Sequence, residues 1–137
     1  MSGPSLRKQH SHHAIHDGIY VEARDLTKIL KQLFKENNQD KIKEVCEALT
    51  EHWEQRTLAH AQSEEEGFFV EKLKEQPELQ ETIIKLKRDH QLLELILEKI
   101  KDHLQKEEIS EETIRYFEGL LVVFEIHNQE EETHLFE

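Results

Sequence analysis

Ten histidines occupy this chain of 137 residues, and two of them open the same short pattern. His60 is followed four residues later by Glu64, and His127 four residues later by Glu131. On a helix, residues four apart share a face, so each pair would present an imidazole and a carboxylate side by side. Gathered in one dry layer, such donors bind a metal ion well. Nitrogen and oxygen donors without thiolate suit iron and also accept manganese or zinc. The single cysteine, Cys46, excludes an internal disulfide framework and a cysteine-based zinc cluster.

Helices must position these groups. Gly numbers only 4 and Pro only 2, while Glu, Lys, Leu and Gln abound, so the chain reads as helix almost throughout. Three turns are legible: 36–40, with Asp40 as N-cap; 75–78 around Pro77; and 107–113, with Ser110 as a cap lacking the full capping box. They divide the chain into helices over 12–36, 40–75, 78–106 and 111–136, preceded by a flexible tail over 1–11. Short connections make neighbours antiparallel. The expected fold is all-α, an antiparallel up-down-up-down four-helix bundle over 12–137.

Each helix carries an apolar stripe at spacings of three and four, and each stripe is interrupted by polar residues. Helix 1 backs up from Ile19 to His16 and then His12, either of which can serve as its donor. Helix 2 runs Leu49, Trp53, Thr57, His60, Glu64; helix 3 runs Leu86, His90, with Glu94 one turn on; helix 4 runs Phe124, His127, Glu131. Counted from the turns, His16 and His60, Glu64 and His90, and His90 and His127 are matched in height to within about one helical turn. A lone inward histidine is usually a hydrogen-bonded core residue. Four helices converging on one layer are a different matter, because burying ionised carboxylates unpaired costs several kcal/mol. Bound cations neutralise such a layer, and the number of donors suits two ions better than one. The competing reading is a solvated polar layer without metal.

At this point the chain resembles the hemerythrin-like, or HHE cation-binding, domain family. The marks are a His early in helix 1, His-x-x-x-Glu in helices 2 and 4, and a His in helix 3. Here they read His60-Ala-Gln-Ser-Glu64-Glu65-Glu66-Gly67-Phe68-Phe69 and His127-Asn-Gln-Glu-Glu131-Glu132-Thr133-His134-Leu135-Phe136, with His16 and His90. The resemblance implies a non-haem di-iron centre bridged by oxo or hydroxo. In it Glu64 and Glu131 would bridge, His16 and His60 would hold one iron, and His90 and His127 the other. It also implies binding of O2 or a related diatomic, for storage, delivery or sensing. Where oxygen carriers place a second His on helix 3 this chain has Glu94; a carboxylate ligand there would favour the ferric state and so sensing or oxidant chemistry. Glu132 and His134 are further donors on helix 4. The ferritin-like di-iron class fails on spacing, since Thr57, Lys87 and Phe124 stand three before His60, His90 and His127.

Charge and hydropathy limit the partners. A formal net charge of −12 leaves no basic face for nucleic acid. No apolar run approaches the roughly 20 residues of a membrane helix, and the N-terminus lacks the apolar stretch of a secretory signal, so a soluble, cytoplasmic protein is expected. His10 and His13 read as a polar lead-in, His52 and His103 as solvated, Cys46, Trp53 and Phe68 as packing groups, and Tyr20 as interfacial. Competing functions are a di-iron redox enzyme acting on peroxide or NO, and an iron-responsive metal-binding module. A haem held by two histidines is a lesser alternative.

Overall fold

The computed structural model describes residues 4–136, with side chains from Ser11 onward. Helix α1 spans Pro4–Lys35. It begins at Pro4, not at residue 12, because proline fits a first helical turn and no breaker intervenes before Gly18; the expected tail is thus largely helix, and residues 1–3 lie outside the described residues. The second rod, α2, is composite. It is α-helical over Gln39–His52, Ala59–Ser63 and Phe69–Glu75, and π-helical over Trp53–Leu58 and Glu64–Phe68. A 3₁₀ turn at Pro77–Leu79 leads into α3, Gln80–Gln105, and α4 spans Glu111–Leu135.

The turns explain the antiparallel course. Asn37 and Glu107 both have positive φ, 56° and 57°. Each closes its helix with a pair of backward bonds: Asn38 N–H to Leu33 C=O (3.1 Å) with Asn37 N–H to Phe34 C=O (3.2 Å), and Glu108 N–H to His103 C=O (2.9 Å) with Glu107 N–H to Leu104 C=O (3.2 Å). Those are Schellman closures with a non-glycine residue in the left-handed position. Asn38, not Asp40, caps α2, its side chain accepting from Lys41 N–H, while Asp40 sits in the first turn where its charge favours the helix dipole. Before α4, Ser110 N–H donates to Thr113 Oγ1 at 3.1 Å, so threonine fills the reciprocal place usually held by Glu or Gln.

Packing follows chain order. α1 lies against α2 and α4, and α3 against α2 and α4, which is the up-down-up-down bundle. The apolar stripes meet in two separate clusters. The larger contains Ile19, Ala23, Leu30, Leu49, Trp53, Leu93, Leu97, Phe117 and Phe124; the smaller contains Phe69, Ile83, Leu86 and Leu135. Between them lies a layer of buried polar side chains: His16, Glu64, His90, His127 and Glu131. Hydrophobic packing on both sides holds that layer at a fixed height.

Candidate metal centre

Glu64 stands at the middle of this layer and divides it. Its Oε2 faces the imidazoles of α1 and α2, with His12 Nε2 at 3.1 Å, His60 Nε2 at 3.4 Å and His16 Nε2 at 3.6 Å. Its Oε1 faces α3 and α4, with His90 Nε2 at 3.2 Å and His127 Nε2 at 3.8 Å. Glu131 is divided in the same sense. Its Oε1 contacts His12 and lies 3.7 Å from His16 Nε2, while its Oε2 lies 3.1 Å from His127 Nε2. Two donor groups result, His12–His16–His60–Glu64 and Glu64–His90–His127, with ligand atoms within 4.8 Å of one another in each.

The imidazoles are aimed by the groups behind them. His90 Nδ1–H donates to Glu65 Oε2 at 2.6 Å, and His127 Nδ1–H donates to Asp89 Oδ2 at 2.9 Å. Holding the proton on Nδ1 turns the Nε2 lone pair inward. Inside, His90 Nε2 meets His127 Nε2 at 3.2 Å, and His16 Nε2 meets His60 Nε2 at 3.1 Å. Lone pairs that close repel unless a proton or a cation lies between them. Two nitrogens each about 2.1 Å from one ion stand roughly 3.0–3.4 Å apart, so both spacings match ligands sharing a metal.

Between His90 and His127 a proton takes up this role in the metal-free protein. Burial disfavours a charged His127, but Asp89, Glu131 and Glu64 outweigh it and raise its pKa to about 11. Burial likewise opposes charge on His12, and Glu131 and Glu64 raise it to about 9. For His16 burial prevails and lowers the pKa. Burial alone would raise the Glu64 carboxyl; the surrounding imidazoles of His12, His127, His16 and His60 hold it well below the usual carboxylate range. Even so, Oε2 of both Glu64 and Glu131 makes no hydrogen bond. Buried, unpartnered carboxylate oxygens facing converging imidazole nitrogens fit cations.

The site lies inside a family match that spans residues 8–137, that of the hemerythrin HHE cation-binding domain. The chain belongs to this family. No curated protein and no solved structure gives a match. Membership makes it a helical, metal-binding domain of hemerythrin type.

Of the residues expected from sequence, His16, His60, Glu64, His90, His127 and Glu131 meet in this layer. Glu94 does not. The buried positions of α3 run Leu86, His90, Leu93, Leu97 and Ile100, so Leu93 takes the inward place and Glu94 turns to the surface. There it lines a shallow depression with Arg88 and Gln91. His12 enters together with His16, where the sequence had left a choice between them. Glu132 is engaged by His13 at 2.7 Å and His134 by Glu130 at 3.0 Å, both away from the layer. His52 is buried, not solvated, its Nε2–H donating to Ile19 C=O at 3.0 Å, and half-buried His103 accepts from the Thr113 hydroxyl at 2.7 Å. The side chain of His10 lies outside the described residues.

Sequence reasoning missed Glu65 and Asp89, although each adjoins a residue of the layer in the chain. It also missed the π turns. The bond from Phe69 N–H to Glu64 C=O spans five residues, and this extra residue carries Phe69 rather than Phe68 into the core. The Phe69 ring stacks on His90, centroids 5.8 Å apart and planes within 7°.

Proposed function

We propose that this chain is a non-haem di-iron protein that binds O2 or a related diatomic in the bundle core, for storage, delivery or sensing. His12, His16 and His60 would hold one iron, His90 and His127 the other, with Glu64 and Glu131 shared between them and oxo or hydroxo completing the bridge. The observation that carries this reading is the division of both carboxylates, each with one oxygen toward each set of imidazoles. Ferrous iron supplies the electrons and the vacant coordination position that a diatomic ligand needs. The protein's own groups do the rest. Glu65 and Asp89 hold two Nδ1 protons, the two apolar clusters pack on either side of the layer, and Phe69 fixes the plane of His90.

Turning Glu94 outward removes the carboxylate that would have favoured the ferric state, and a fifth imidazole arrives from α1 instead. That exchange favours reversible binding over oxidant chemistry. A cytoplasmic setting accords with a lone, buried Cys46; no described helix is long and apolar enough to cross a membrane.

Elemental analysis and the absorption spectrum of freshly purified protein, followed through cycles of deoxygenation and air, test the reading. The expected result is two irons per chain, oxo-bridge bands and a spectral change that reverses. One haem or a single zinc overturns it. Sustained turnover of peroxide or NO instead assigns the redox enzyme, and metal-dependent binding of a protein partner assigns the iron-responsive module.

A further inference from the structure

A cation bound for this layer arrives hydrated. Stripping its water at one stroke is costly, so a route inward needs donors that replace that water in steps. The half of the centre held by His90 and His127 is closed to such a route. These residues are 3% and 1% exposed. Phe69 covers the ring of His90, and Glu65 and Asp89 close off the outer nitrogens of both. This inner half is sealed. On the other side His12 and His60 line a cleft of about 590 Å³ beside Gly67, but its walls of Ile15, Phe68 and Phe136 offer a cation no nitrogen or oxygen.

The seam between α1 and α4 is built differently. Two His–Glu pairs cross it side by side, formed by consecutive residues on both helices. His12 contacts Glu131, and His13 Nδ1–H donates to Glu132 Oε1 at 2.7 Å. The first pair faces the layer, its side chains 12% and 0% exposed; the second faces water, at 61% and 26%. Asp17, exposed and four residues beyond His13 on α1, adds a carboxylate whose charge reaches that imidazole. As an ion pair at the surface the outer couple contributes little stability. As donors they are well placed, since two ligands at right angles on one ion stand roughly 3 Å apart.

We propose that His13, Glu132 and Asp17 form an outer loading station for a divalent cation, which they pass to His12 and Glu131. Neighbouring Cα atoms are about 3.8 Å apart, so the transfer is a short step in which each new donor replaces one left behind. Two or three surface donors hold an ion weakly, which lets it move on; the buried set retains it. The field of a chain with formal net charge −12 draws cations to the station from solution. A station on the path lowers the barrier in both directions, so it speeds uptake and release alike and leaves affinity unchanged. The proposal adds a loading step to the di-iron reading and rests on it.

Ferrous iron is the probe. Metal-free protein is mixed with it in the absence of oxygen, quenched at intervals with excess chelator, and the iron retained is counted; release from loaded protein to the same chelator is timed separately. For His13→Ala and for Glu132→Gln the expected result is uptake and release both slowed about ten-fold, with wild-type iron content at the end. Glu130→Gln removes the same charge two residues away, from the exposed His134–Glu130 pair, and Glu71→Gln removes a carboxylate from the cleft. Both are expected to load at the wild-type rate. Unchanged rates in His13→Ala and Glu132→Gln overturn the station. Equal slowing in Glu130→Gln overturns it in favour of a diffuse field, and equal slowing in Glu71→Gln in favour of the cleft. A lower final iron content in His13→Ala or Glu132→Gln also overturns it, because the groups then belong to the centre itself. A wild-type chain that takes up no iron defeats the di-iron reading and the station with it, whereas a loaded protein indifferent to His13→Ala defeats the station alone.

Discussion

Glu64→Gln tests the shared carboxylate most directly. The amide keeps the volume and shape of the side chain, so the bundle's packing is preserved. What changes is the polar end. Oε1 and Oε2 of Glu64 now face different sets of imidazoles, at 3.2 Å from His90 and 3.1 Å from His12. In glutamine one of those ends becomes an NH2 group that cannot ligate, and the other loses its charge. Both halves are therefore damaged by one substitution, whereas His90→Ala damages only the inner one. The size of the effect follows from linkage. An ion that binds only the folded chain, at a free concentration one hundred times its Kd, stabilises it by about 2.7 kcal/mol, so two ions contribute roughly 5 kcal/mol. For a domain of this length each kcal/mol moves Tm by about 3 °C, which makes the metal-induced rise in wild type about 15 °C. Thermal unfolding with and without ferrous iron, paired with elemental analysis after desalting, measures both quantities. Glu64→Gln is expected to retain fewer than one ion per chain and under about 5 °C of that rise; His90→Ala should retain one ion and about half. A Glu64→Gln protein that loads two ions with the full rise would refute the division of the carboxylate between two sites.

The metal-free protein should lose stability in both pH directions. His12 and His127 have folded pKa values raised to about 9 and about 11 from 6.5, so their contribution is complete below pH 6.5 and is lost as pH climbs through 9 and then 11. The depressed Glu64 contributes above about pH 4.5 and loses its contribution progressively in acid. Urea midpoints of metal-free protein at pH 6.5 and 9.5 check the alkaline limb, and a higher midpoint at 9.5 would contradict it. Glu107, held at φ 57° in the closure of α3, should be improved by glycine. Glu107→Gly is expected to stabilise by about 0.5 kcal/mol in urea titration, the exposed Lys43–Glu107 pair at 3.6 Å contributing little.

The bundle was legible because its signals are local and periodic. Polar turns at 36–40 and 107–113 and the stripe Leu86, Leu93, Leu97, Ile100 each follow from rules that need no knowledge of neighbouring helices. So does the recurrence of His-x-x-x-Glu on two helices, which brought four residues of the layer within reach of sequence reasoning, while the interrupted stripes added His16 and His90. Glu94 was misjudged because a spacing of four from His90 leaves a residue at the margin of the buried face, and Leu93 fills that face instead. His52 defied the stripe because its partner is a carbonyl on another helix, Ile19. Nothing in the local pattern of α2 announces such a bond.

Residue types and their periods, then, determined that four helices would bury imidazoles and carboxylates at one height, since hydrophobic burial fixes which face of each helix turns inward. Tertiary structure decided how those groups are shared. The two oxygens of Glu64, the backing of His127 by Asp89 and of His90 by Glu65, and the cleft beside Gly67 all depend on distances between side chains far apart in the chain. Helical spacing constrains angle and height within one helix, and it is silent about the ångströms between two.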